Sequence, residues 1–177
     1  MSQAGFSPAP LARLTLAALL AIAALPLGSP ATSAVAAGPP HCKTSGLVIW
    51  SNNGAGGGTA GSVFYKVKFT NLSGHACTLR GFPRVAAVNL AGKRIGAPAQ
   101  HEAGQKPKTV KLANGATASA SLRIVDAGNF SPSACHPVTA AGLRVTPPGQ
   151  SKSKLVPLPF GTCSRAAQHT LSVAVVR

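Results

Sequence analysis

Apolar and polar residues alternate with a period of two along much of the chain. In Ser62–Thr70, Val63, Tyr65, Val67 and Phe69 fall on one face and Lys66, Lys68 and Thr70 on the other, with Phe64 the exception. Successive side chains of a strand project to opposite faces, so this pattern predicts a half-buried β-strand. Thr117–Val125 repeats it: Ala118, Ala120, Leu122 and Ile124 point inward, Ser119, Ser121 and Arg123 outward. Leu171, Val173 and Val175 do the same near the end of the sequence. Shorter strands are expected at Leu47–Trp50, Cys77–Arg80, Arg84–Leu90, Thr109–Ala113, Leu143–Thr146 and Leu155–Leu158.

Turn signals separate these runs. Asn114-Gly115 is the strongest hairpin marker, between Val110-Lys111-Leu112 and the strand from Thr117. Asn71-Leu72-Ser73-Gly74 and Ala91-Gly92-Lys93 mark two more turns. Pro147-Pro148-Gly149-Gln150 ends a strand, because proline cannot donate to a ladder. No segment reads as a capped helix. About nine short strands without helical alternation predict an all-β fold, an antiparallel immunoglobulin-like β-sandwich, with a closed barrel as the other candidate. No repeat or second domain boundary is visible, so residues 37–177 are expected to form a single domain.

Residues 1–36 read as a secretory signal peptide. Arg13 is the only charge before position 40, and Leu14–Leu25 is an apolar run of about 12 residues, against roughly 20 needed to span a bilayer. Ala34-Val35-Ala36 fits a small-x-small cleavage box, and Val35-Ala36-Ala37 is an equally good frame. Gly38-Pro39-Pro40-His41 before Cys42 does not suit a lipoprotein box, so free secretion with no transmembrane segment is expected.

Composition narrows the chemistry. The 177 residues hold 17 Lys+Arg against 2 Asp+Glu, a net charge of +15, with only 11% charged residues. The excess therefore comes from missing acids. Losing residues 1–36 removes Arg13 and no acid, leaving 16 bases, 2 acids and a net +14. A paired-carboxylate hydrolase or a calcium cage would need Glu102 and Asp126 together, and these are 24 positions apart.

Cys42, Cys77, Cys135 and Cys163 are even in number, and export favours their oxidation. Three connectivities are possible. Sequential pairing, Cys42 with Cys77 and Cys135 with Cys163, closes the two shortest loops and is the expected one. Zinc is the rival use, but there is no CxxC pair.

Other motifs read as structure. Gly56-Gly57-Gly58-Thr59-Ala60-Gly61 matches G-x-G-x-x-G, yet a strand rather than a helix follows and no acid appears before Glu102. It is expected to be a loop. His41, His75, His101, His136 and His169 form no short HxH or HxxxH pair, and the only Met is Met1, so neither metal nor other cofactor is expected. Asp126-Ala127-Gly128-Asn129 reads as a turn in which the carboxylate bonds local backbone, and there is no G-x-S-x-G elbow. The chain is not expected to be an enzyme. An extracellular hydrolase, or an inhibitor of a secreted enzyme, is the alternative.

The bases carry the functional reading. Lys66 and Lys68 share an outward face, and Lys106, Lys108 and Lys111 lie in or near one loop and strand. They are the candidate contacts for an anionic polymer or lipid head groups at or near the cell envelope. The bland alternative is a solvated surface that keeps sheet edges from pairing. Nucleic acid is not expected, because no aromatic-rich RNA signature is present.

Several runs together resemble a known family. Phe69-Thr70-Asn71-Leu72-Ser73-Gly74-His75-Ala76-Cys77-Thr78-Leu79-Arg80-Gly81-Phe82-Pro83, Ile95-Gly96-Ala97-Pro98-Ala99, Ser133-Ala134-Cys135-His136-Pro137 and Ala141-Gly142-Leu143-Arg144-Val145 resemble the signature of a secreted actinobacterial family, domain of unknown function 4232. The resemblance runs from Cys42 to Val175. It implies an all-β sandwich behind a signal peptide or lipid anchor, with cysteines at these positions. Many members carry a lipobox and a Ser/Thr-rich linker; this chain has neither. The family has no established activity, so the resemblance implies no catalytic residues.

Overall fold

The computed structural model describes residues 38–52 and 56–177, so the signal-peptide reading of 1–36 lies outside the described residues. The fold is mostly β. Its strands are β1 (Leu47–Ser51), β2 (Gly56–Thr59), β3 (Ser62–Asn71), β4 (Cys77–Arg80), β5 (Arg84–Val88), β6 (Arg94–Ile95), β7 (Gln100–His101), β8 (Thr109–Leu112), β9 (Thr117–Val125), β10 (Pro137–Thr146), β11 (Lys154–Cys163) and β12 (Leu171–Val173). A six-stranded sheet has the order β1-β3-β9-β12-β7, with β2 also paired to β3. A four-stranded sheet has the order β11-β10-β5-β6, and β4 and β8 form a third. Every pair is antiparallel except β7 with β12. That parallel pair departs from the expected antiparallel pattern. Periodicity reports which face a residue occupies, not the direction in which a two-residue strand docks.

Alternation built these sheets. The inward residues of β9, Ala118, Ala120, Leu122 and Ile124, are buried. They share one core with Val67 and Phe69 of β3, Leu171 and Val173 of β12, and Val85, Leu143 and Val145 of the four-stranded sheet. Val63 and Tyr65 were expected to be buried in that core: Val63 is 37% exposed instead, and Tyr65 is half-buried, packed against the core's edge. Their phase is right. They line an open cleft with Ile124, Pro159 and Phe160, where packing between β3 and β11 is incomplete.

Three other expectations need correction. Gly56–Thr59 is not a loop but β2, joined to β3 by a turn in which Gly61 has φ +74°. Asn114-Gly115 does turn the chain, but β8 pairs with β4 and β9 with β3, so no hairpin forms. Each strand finds its partner farther away in the chain, and Asn71 anchors the turn between them. Its Nδ2 donates to the carbonyls of His75, Leu112 and Ala113, at 2.8, 3.0 and 3.2 Å. Its Oδ1 accepts from Ser73 N–H and Oγ. Its backbone exchanges bonds with Gly115 and Ala116. The turn itself closes through the Ala116 N–H to the Ala113 carbonyl at 3.1 Å, and the fully buried Asn71 side chain ties it to the end of β3. Finally, a one-turn helix, α1 (Pro132–Cys135), is present, with Ser131 Oγ accepting the Ala134 N–H and proline at the first position.

β10 and β11 run longer than their apolar stretches. Gly142 sits at a bulge where a β-carbon would run into the Val156 carbonyl. Pro157 and Pro159 are tolerated because β11 is an edge strand. The cysteines pair sequentially: Cys42 with Cys77, and Cys135 with Cys163, at Cα–Cα separations of 4.9 and 4.6 Å. On the chain-entropy model each bridge contributes roughly 3–4 kcal/mol. Disulfides of this kind belong to an oxidising, extracellular environment. No helix among the described residues is long and apolar enough to cross a membrane.

Candidate anion-binding surface

The outward face of the six-stranded sheet is built from β3 upward. Residues paired across antiparallel strands project to the same face. Lys68 lies opposite Trp50 of β1 on one side and Ser119 of β9 on the other. Trp50 is 39% exposed, and Lys68 Nζ sits 4.3 Å from its ring centroid. Such a cation–π contact contributes about 0.5–1 kcal/mol at an exposed site and restrains the lysine. The indole Nε1–H donates to Thr70 Oγ1 at 3.1 Å, and Thr70 shares a hydrogen bond with Thr117 at 2.8 Å.

A bulge extends this row. β12 faces β9 with Ser172 opposite Arg123 and Val173 opposite Leu122. Continued without interruption, that register would put Arg177 opposite buried Ala118. Instead Ser119 and Arg177 exchange both backbone hydrogen bonds, at 2.8 and 2.9 Å. One extra residue is absorbed: Val176 N–H, displaced from Ser119, bonds the Gly81 carbonyl, while Val175 N–H, on the far side of the strand, bonds Gln105 Oε1. The shift turns Arg177 onto the outward face. Trp50, Lys68, Ser119 and Arg177 therefore form one row across the strands, about 14 Å long at the usual strand spacing. Lys66, opposite Ser121, and Arg123, opposite Phe64, flank it.

Arg177 also lines a cleft of about 550 Å³ together with Lys106 and Lys108. Arg177 is thus common to the row that holds Lys68 and to the cleft that holds Lys106 and Lys108. Lys111 is placed elsewhere, on β8 opposite Thr78 in the small sheet. Trp50 was legible as an outward residue from the alternation of Leu47 and Ile49. Arg177 was not, because a bulge reverses parity and leaves no mark in the pattern.

The two carboxylates are bonded to amides. Asp126 Oδ1 accepts the Gly128 N–H at 2.8 Å, in the turn expected there. Glu102 Oε2 accepts from Gln105 Nε2 at 2.6 Å, beside the end of β12. Among the described residues no three of His, Cys, Asp and Glu come together as a metal-ligand set. His101 stacks on Phe82 with ring centroids 4.2 Å apart, and His136 caps α1 in the left-handed region at φ 47° beside Arg165.

The family described as Domain of unknown function (DUF4232) matches residues 42–177. The chain belongs to this family. No curated protein and no solved structure matches it. In this DUF4232 domain the matched segment begins at Cys42, includes both disulfides and contains the whole basic row.

Proposed function

We propose that the exported domain is a non-catalytic binding module, secreted to or near the cell envelope, that holds a linear phosphate-bearing polymer through the outward face of the six-stranded sheet. The observation that carries this reading is the row from Trp50 through Lys68 and Arg177 into the cleft with Lys106 and Lys108. A polyanion gains from several cations spaced along a line, and it releases counterions as it binds. The attraction is screened beyond roughly 8 Å at physiological ionic strength, so affinity falls with salt.

The same reading takes the two larger sheets as the layers of an immunoglobulin-like sandwich. In support, their inward residues share one core, and the single parallel pair involves only two residues of β7. A crystal structure showing any other packing of these sheets would overturn that assignment.

Fluorescence anisotropy with labelled linear polyphosphate at low salt tests the function. Saturable binding that weakens steeply with added salt supports it. Absence of binding removes it. Preference for anionic vesicles over the polymer would assign lipid head groups instead.

A further inference from the structure

The Cys42–Cys77 bridge joins the segment before β1 to the end of the β3–β4 turn. His41 precedes the first cysteine by one position, and His75 precedes the second by two. Two histidines 34 positions apart therefore meet at one cleft of about 410 Å³. Lys43, Ser45 and Ser73 line the same cleft, and no carboxylate does.

Its walls are held in place. Cys42 N–H donates to the Thr78 carbonyl at 2.9 Å, Thr78 N–H to Pro40 at 2.8 Å, and Leu72 N–H to Gly46 at 2.8 Å. A β-carbon on Gly46 would come within 2.7 Å of Ser73 Cβ, so glycine lets the two segments close. Asn71 ties the turn beneath through the five side-chain bonds described above. The backbone that carries the exposed donors is therefore fixed before binding, which reduces the entropy lost when a ligand is taken up.

We propose that this cleft binds a single phosphate group, free or esterified, with His41, Lys43 and His75 as donors and Ser45 Oγ–H beside them. Nitrogen and hydroxyl donors without a carboxylate match a tetrahedral oxyanion. A divalent cation fits poorly: two imidazoles supply half of a tetrahedral set, and the Lys43 ammonium opposes it. The site is distinct from the basic row and does not depend on the polymer reading.

The test is a titration of the full domain with inorganic phosphate, followed by imidazole ¹H–¹³C resonances. Saturable shifts at His41 and His75, with His136 and His169 unmoved, are expected at millimolar phosphate, the order of affinity for one small ion. Lys43→Ala should weaken binding by about tenfold, the loss of one charge-assisted hydrogen bond. His41→Ala with His75→Ala should abolish it while both disulfides and the thermal midpoint are retained. Lys68→Ala should leave it unchanged, which separates this site from the polymer surface. Equal movement of all the histidines, no saturation, or shifts produced by zinc but not by phosphate would overturn the proposal.

Discussion

The two larger sheets both carry cations on their outward faces, but they use them differently. In the four-stranded sheet the Arg84 guanidinium donates to the Gln150 carbonyl at 3.0 Å, and Arg144 donates to the Gly92 carbonyl. Each arginine fastens a neighbouring loop. On the six-stranded sheet Lys68 rests on Trp50, and Arg177 shares its cleft with two further lysines. Among the described residues those charges have no carbonyl partner. A net of +15 is spread over the whole molecule and so cannot locate a site. What each cation is bonded to can.

Asn71→Ala should cost about 3–4 kcal/mol, because it leaves several buried backbone groups without partners. Urea denaturation measures this, and a loss below about 1 kcal/mol would mean the six-stranded side does not depend on that anchor. The triple variant Lys68→Ala, Lys106→Ala, Lys108→Ala should lose polymer affinity by tenfold or more, about 1.4 kcal/mol or greater, with its thermal midpoint unchanged. Unchanged affinity would remove the row as the binding surface.

Arg84→Ala and Arg144→Ala should do the reverse. Each should lower stability by about 1 kcal/mol, the net worth of one hydrogen bond from a partly exposed group, and leave polymer binding intact. If either arginine proves essential for binding, the division of labour between the sheets fails. Trp50→Phe should have the smallest effect, about 0.5 kcal/mol in polymer affinity, through looser placement of Lys68. Changed tryptophan fluorescence of the unaltered protein on adding polymer would place the ligand at this end of the row.

Legibility followed the range of the interaction. β9 was read from Thr117 to Val125, its observed limits, because alternation on a half-buried strand is a local imprint of the core. α1 was missed although Ser131-Pro132 is a sound helix start, because one turn shows no helical period. β10 was read only from Leu143, since Thr139, Ala140 and Ala141 carry little apolar contrast, and Gly142 is chosen by a backbone contact from β11. The Asn114-Gly115 turn was read correctly, but its strands were joined wrongly because β8 pairs with β4 and β9 with β3, partners that no local signal at the turn records.

The β character of the chain, the cationic surplus and the four cysteines in a spacing that favours sequential bridges are all legible along the sequence. These are matters of composition and of neighbours two residues apart. Which cations become neighbours depends instead on how the strands pair. Lys68 meets Ser119 across one register and Ser119 meets Arg177 across another, and a single bulged residue before Arg177 chose solvent over the core for that side chain. His41 and His75 likewise became neighbours through a bond made elsewhere in the chain, at Cys42 and Cys77. Strand register and covalent closure join residues far apart in sequence, and a local pattern carries no record of where such residues meet.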